Sequence, residues 1–165
     1  MTDSPQNLLV AEIAKDLLTE VAPQERALFR ATSEMYFKNP EKMQTAQGAK
    51  DEMLGFGVSD AMELITPALL AISGDVIRFL WEEATKAMKG ESTEWIAFTV
   101  KSWFGKVRNE KKDEKKAPPP LTPEQLEQVR KIAIRKAKQL KLSEKNTKML
   151  ADAIVGSLAT SSGRR

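Results

Sequence analysis

Apolar residues recur along most of the chain at the three- and four-residue spacing of amphipathic helices, and proline marks where several helices begin. Five of the eight prolines follow a capping or turn residue and precede an apolar run: Pro5, Pro23, Pro40, Pro67 and Pro123. The pattern predicts an all-α fold. Within residues 1–108 it predicts a bundle of about four helices, over residues 5–21, 23–37, 67–89 and 93–108, with a short helix over 40–46.

The helix over residues 67–89 is the most apolar of these. Its large side chains fill an arc of roughly 200°, and Asp75 and Arg78 share the remaining polar strip. The uncharged run from Leu64 to Gly74 is 11 residues long, whereas a membrane span needs about 20. We interpret the segment as the central helix of the bundle, with a face offered to lipid or to another protein as the alternative.

The helix over residues 93–108 combines aromatic and basic residues, a composition found in helices that lie on membrane surfaces. Packing of its tryptophans inside the bundle is the favoured interpretation, because aromatic stripes at helical spacing usually belong to a core. The candidates for partner or membrane contact in the two helices are Ile72, Val76, Phe79, Leu80, Trp81, Trp95, Phe98, Trp103 and Phe104.

Residues 109–121, with mixed charges and three consecutive prolines, predict a flexible linker. Residues 122–159 predict a helical hairpin, in which Thr122 and Gln125 form a capping box and Ser143 caps the second helix. A hairpin of this size is too small for a core of its own, so we expect it to dock on the first domain or on a copy of itself. Residues 160–165 predict a disordered tail.

The first helix of this hairpin carries a basic face. Its anion or phosphate candidates are Arg130, Lys131, Arg135, Lys138 and Lys141. A short turn after a basic helix suggests a DNA-binding helix-turn-helix, but the helix after the turn lacks the arginines that read base edges. Non-specific contact with nucleic acid or anionic lipid remains the alternative to a solvated helix face.

The amino-acid composition argues against most kinds of catalytic and metal-binding site. The chain is 41% hydrophobic and 30% charged, and it has neither histidine nor cysteine. The commonest general base, the commonest metal ligand and the thiol nucleophile are therefore all missing. Carboxylate pairs such as Glu12 and Asp16 have no histidine to complete a metal site. We expect no enzymatic activity, no cofactor, no bound metal and no small-molecule substrate.

Acidic and basic residues are distributed unevenly along the chain. Residues 1–100 hold 9 basic and 16 acidic side chains, net −7, and residues 101–165 hold 17 basic and 7 acidic, net +10. An anionic partner is therefore expected to meet the C-terminal third. Acidic residues stand at the start of the chain where a secretory leader would be basic. We expect a cytoplasmic protein, with a peripheral membrane location as the alternative.

These features together predict a small interaction or adaptor module that binds a protein partner or self-associates. The bundle would supply an apolar face or groove around residues 69–104, and the hairpin a second contact. Membrane docking through residues 67–89 and 93–108 is the first alternative, and non-specific nucleic-acid binding through the basic hairpin is the second.

Overall fold

The structure, a computed structural model, describes residues 4–45, 48–49, 64–106 and 118–162. These ranges contain no strand, so the prediction of an all-α fold is confirmed for the part of the chain that is described. They form seven α-helices and one 3₁₀ helix. The helices are α1 (Pro5–Val21), the 3₁₀ helix (Pro23–Leu28), α2 (Phe29–Lys38), α3 (Pro40–Met43), α4 (Thr66–Ala87), α5 (Thr93–Trp103), α6 (Pro123–Gln139) and α7 (Glu144–Ser162).

Several helix starts follow directly from local sequence. At the start of α6 the Thr122 hydroxyl accepts from the Gln125 backbone N–H at 3.1 Å, and the Gln125 side chain accepts from the Thr122 N–H at 2.9 Å. The capping box predicted here is confirmed. Single-bond serine caps start three other helices, where the hydroxyls of Ser4, Ser92 and Ser143 accept from the backbone N–H groups of Asn7, Trp95 and Asn146.

The segment over residues 23–37, predicted as one α-helix, has a different helix type in its first half. It begins as a 3₁₀ helix and becomes α-helical only at Phe29. Glu25 lies in the 3₁₀ part and is 1% exposed. The hydrophobic pattern could not reveal this, because a buried carboxylate looks like a surface residue in the sequence.

The Glu25 carboxylate caps the N-terminus of α4 from 40 residues away. Its two oxygens accept from the Ile65 backbone N–H at 3.0 and 2.8 Å, and Oε1 also accepts from the Thr66 N–H at 2.9 Å and the Thr66 hydroxyl at 2.7 Å. Ile65, the N-cap residue, has no side chain that could make these bonds itself. The carboxylate therefore satisfies the unpaired amides of this helix start and lies at the positive end of its dipole.

Helix α4 is the most deeply buried element, and it contacts α1, α2, α5 and α6. Leu69, Leu70, Ile72, Val76, Ile77 and Leu80 are each fully buried. Six such side chains contribute roughly 1.5–3 kcal/mol each in gross burial. The wide apolar arc seen in the sequence is therefore covered by several neighbouring helices.

Helices α6 and α7 contact each other, and they also pack on the first part of the chain, α6 against α4 and α7 against α1 and α5. Their buried apolar residues belong to the same core as those of α1 and α4, namely Val129, Ala133, Ala137, Leu150, Ala151, Ile154 and Leu158.

The segment that leads into α6 is also attached. The Trp103 indole N–H donates to the Pro119 carbonyl at 2.8 Å, and Leu121 is buried. The end of the predicted linker is therefore held against α5, while residues 109–117 lie outside the described residues. Helix α7 continues to Ser162, three residues into the predicted tail, and residues 163–165 lie outside the described residues as well.

Replacement of Glu25 by glutamine is expected to lower the free energy of unfolding by about 1–3 kcal/mol, because a neutral amide loses the charge-assisted bonds to the start of α4. Glu20→Gln, at an exposed position of α1, is the matched control and is expected to change stability by less than about 0.5 kcal/mol. Urea denaturation followed by tryptophan fluorescence measures both, and equal losses in the two variants would contradict the assigned role.

Candidate functional site

The nine apolar candidates fall into two groups. Ile72, Val76, Leu80, Trp103 and Phe104 are buried, whereas Phe79, Trp81, Trp95 and Phe98 are half-buried. Trp95 and Phe98 form an edge-to-face pair with ring centroids 5.0 Å apart. The first group is covered by the chain's own helices and cannot touch a partner in this conformation. Phe104, a candidate for partner or membrane contact, is only 4% exposed.

The basic face of α6 lies on the surface. Lys131, Arg135 and Lys138 are exposed, and no ion pair joins them to another residue in the described ranges. Arg130 differs, because its guanidinium bonds the Asp152 carboxylate of α7 at 2.8 Å. That contact ties the two helices together, so Arg130 has less capacity for an external anion.

Lys141, the last of the basic candidates, has an unusual backbone. It follows the end of α6 with φ of 62°, in the left-handed region. The N–H of Leu142 bonds the Ala137 carbonyl, and the N–H of Lys141 bonds the Lys138 carbonyl, which together form a Schellman motif. The end of α5 has the same motif with Gly105, φ 72°, at the equivalent position. Lysine thus occupies a position that favours glycine, and its side chain is exposed.

The carboxylates of Glu12 and Asp16 on α1 have structural partners. Glu12 pairs with Lys101 at 3.1 Å, and Asp16 pairs with Lys106. The pairs join α1 to α5 and to the residues that follow it.

An open cleft of about 430 Å³ lies where α1, α2, α4 and α6 meet. Its wall combines apolar side chains with charged and amide groups, and Gly74 on α4 forms part of it. The lining residues are Gln6, Asn7, Val10, Tyr36, Phe37, Pro40, Gln44, Leu70, Ala71, Gly74, Asp75, Arg78 and Lys136.

Three charged side chains converge in this cleft. The Asp75 carboxylate lies 3.7 Å from the Arg78 guanidinium and 4.0 Å from the Lys136 ammonium. Arg78 is one helical turn from Asp75 and was expected beside it. Lys136 was not, because it comes from α6 and only the docking of that helix on α4 brings it here.

Tyr36 lies in the wall of the cleft and is 8% exposed. The Gln44 amide donates to its hydroxyl oxygen at 3.2 Å. Burial raises the pKa of the Tyr36 hydroxyl; the Gln44 bond opposes this rise, the negative charge of Asp75 adds to it, and Arg78 opposes it. The hydroxyl therefore stays protonated further into the alkaline range than that of an exposed tyrosine.

Comparison with protein families, with curated proteins and with solved structures finds no match for this chain. Among the described residues, none of the helices has both the length and the apolar content needed to cross a bilayer.

Tyr36 is the single tyrosine of the chain, so absorbance at 295 nm reports its ionisation alone. We expect a titration midpoint in the folded protein above that in urea, since its folded pKa is raised. The contribution of Tyr36 to stability is then fully present below its unfolded pKa near 10 and is lost as the pH rises through the folded value. Tyr36→Phe should remove this part of the pH dependence; identical midpoints in folded and unfolded chains would contradict it.

Proposed function

We propose that this protein is a non-enzymatic interaction module that binds an acidic protein surface through the basic face of α6. The supporting observation is the exposure of Lys131, Arg135 and Lys138 on two successive turns of one helix. At a rise of about 1.5 Å per residue, these three side chains span about 10 Å. A row of this length can contact several carboxylates of a folded partner.

The apolar alternative has less support in this conformation. The face of α4 that was expected to form a groove is turned into the core, and Leu8, 58% exposed, is the one large hydrophobic residue that is strongly exposed in the described part of the chain. Because the described residues include no other strongly exposed large apolar side chain, we base the docking surface on charge. Membrane docking through α4 and α5 would require these helices to leave the core.

The left-handed backbone conformation of Lys141 is an energetic argument for including this residue in the binding face. A non-glycine residue in the left-handed region costs roughly 1 kcal/mol. The chain keeps lysine there, whereas it uses glycine at the equivalent place after α5. Backbone strain of this kind is often found where a side chain serves a function. We therefore include Lys141 in the proposed binding face.

The charges around this face favour protein over nucleic acid. Glu124 and Glu127 are exposed on α6, and Glu144 is exposed at the start of α7. A duplex presents a continuous row of phosphates that these carboxylates would repel, whereas a protein surface can match a mixed pattern. The acidic partner is either a second copy, whose residues 1–100 carry net −7, or a different protein, and the experiment below separates the two.

The test compares the full chain with the variant Lys131→Gln, Arg135→Gln, Lys138→Gln. A control variant, Lys15→Gln, Lys38→Gln, Lys89→Gln, removes the same charge from exposed positions on other helices. Light scattering after size exclusion detects self-association, and affinity purification from lysate with and without nuclease treatment detects another partner. We expect association to persist in the control, to be lost in the α6 variant, and to weaken as NaCl rises from about 50 to 500 mM.

A complex that survives in the α6 variant would overturn the proposal, as would a strictly monomeric chain with no recovered partner. Recovery that disappears after nuclease treatment would instead support the nucleic-acid alternative.

Lys141→Gly is expected to raise the free energy of unfolding by about 0.5–1 kcal/mol, because glycine adopts the left-handed conformation without strain. Lys141→Ala keeps the strain and removes the charge, so it should leave stability nearly unchanged. Both variants should weaken the complex to the same extent if the charge of Lys141 contributes to binding. Chemical denaturation measures stability, with Gly105→Lys as the reciprocal control; stabilisation by alanine equal to that by glycine would contradict the assignment.

A further inference from the structure

The side of α6 that faces away from the core, its outer face, carries acidic as well as basic residues. Five charged side chains lie on it, and all are exposed: Glu124, Glu127, Lys131, Arg135 and Lys138. At about 100° per residue they fall within an arc of about 80°, opposite to the buried residues of the helix. The outer face is therefore acidic towards the start of α6 and basic towards its end.

The charges of the outer face are arranged symmetrically around Lys131, with opposite signs on the two sides. Glu127 and Arg135 each lie four residues from Lys131, and Glu124 and Lys138 each lie seven residues from it. When the helix is turned end for end about Lys131, each acidic position exchanges places with a basic one. The outer face is thus complementary to itself in the antiparallel orientation, as the interface of a two-fold symmetric dimer has to be.

The charges of the outer face have no ion-pair partner within the described ranges of the chain. Glu127 and Lys131 have the four-residue spacing of an intrahelical pair, yet no ion pair joins them. Neighbouring described residues therefore leave these charges unneutralised.

We propose that α6 associates with α6 of a second copy of this chain, antiparallel and about a two-fold axis that passes by Lys131. Glu124 then faces Lys138 of the second copy, and Glu127 faces its Arg135. The symmetry repeats both contacts, which gives four ion pairs, and Lys131 faces its own counterpart on the axis. This proposal rests on the function proposed above, because it uses the same helix surface, and it names the partner.

Other arrangements of two α6 helices make fewer ion pairs. In a parallel pair with the helices in register, each charge faces its own counterpart, so every contact is repulsive. In an antiparallel pair shifted by three or four residues, at most two of the four opposite-charge contacts form. The charge pattern therefore selects both the orientation and the register of the two helices.

An interface of this kind is weak and sensitive to salt. Exposed ion pairs each change an equilibrium constant by up to about fivefold, and salt screens them. Helix α6 is described in full and carries no strongly exposed large apolar side chain that would add to them. We therefore expect a dimer that forms at high protein concentration and low ionic strength.

Sedimentation equilibrium of the full chain, at about 0.05–1 mM protein and about 20 mM NaCl, measures this association. Two variants each reverse one half of the outer face: Glu124→Lys with Glu127→Lys, and Arg135→Glu with Lys138→Glu. Either variant alone should associate at least about tenfold more weakly than the unchanged chain, because all four contacts become repulsive. An equimolar mixture of the two should form a heterodimer, since all four opposite-charge contacts are restored between them.

The variant with all four reversals should dimerise with itself as the unchanged chain does. Its net charge equals that of the unchanged chain, so recovered association would come from the pairing and not from overall charge. Lys15→Glu with Lys89→Glu, at exposed positions outside α6, is the matched control for the acidic half-reversal. It should change the association constant by less than about twofold.

Lys131 distinguishes this dimer from a complex with a different acidic protein. With another acidic partner, loss of the Lys131 charge weakens binding. In the antiparallel dimer, Lys131→Gln removes the repulsion on the axis and should tighten self-association by about twofold or more.

A single thiol tests the register directly. The chain has no cysteine, so Lys131→Cys places one thiol on the axis, where it meets its counterpart at the short distance that a disulfide requires. Mild oxidation should cross-link this variant at least about tenfold faster than Lys15→Cys, whose thiol lies on the exposed side of α1.

Four results would overturn the proposal: a monomer at about 1 mM protein and about 20 mM NaCl, association that survives either half-reversal, a mixture of half-reversed variants that stays monomeric, or equal cross-linking rates of Lys131→Cys and Lys15→Cys. Circular dichroism checks the helix content of each variant, and the cross-linking test applies even if a half-reversed variant fails to fold. A monomeric chain that still recovers an acidic protein through α6 would refute the dimer and leave the proposed function standing.

Discussion

The start of α4 depends on one buried carboxylate. Glu25 accepts four hydrogen bonds of 2.7–3.0 Å from the Ile65 N–H, the Thr66 N–H and the Thr66 hydroxyl, and both the acceptor and the helix start are buried. Buried amides without partners would cost roughly 1–3 kcal/mol each. The bonds also connect the 3₁₀ helix to α4 across 40 residues of sequence, so they set where the central helix begins relative to α1 and α2.

The two sides of α4 have different surroundings. The apolar side contacts α1, α2, α5 and α6, whereas Gly74, Asp75 and Arg78 reach the cleft. Helix α6 packs on α4, with small side chains such as Ala133 and Ala137 buried in the common core, and this packing brings Lys136 within 4.0 Å of Asp75. The cleft is thus a product of helix packing, with its charges supplied by two helices that are distant in the sequence.

The basic residues of α6 lie on two faces that differ in their exposure to solvent. Lys136, beside the buried stripe, is mostly covered and turned to the cleft, while Lys131, Arg135 and Lys138 remain in solvent. The exposed residues suit a larger partner, for which several screened charges act together. One helix therefore carries two surfaces of different chemistry.

Local sequence determined most of the helices, the side-chain caps of α1, α5, α6 and α7, and the basic face of α6. Periodicity and capping depend on residues three or four apart, so the bounds of α1 and the capping box of α6 follow from the sequence alone. The pattern also predicted the apolar arc of α4, but it could not show which candidates are covered, because burial depends on the neighbouring helices. Only the tertiary structure placed Glu25 at Ile65 and Lys136 at Asp75, since these contacts join residues 40 and 61 positions apart, beyond the reach of any local spacing.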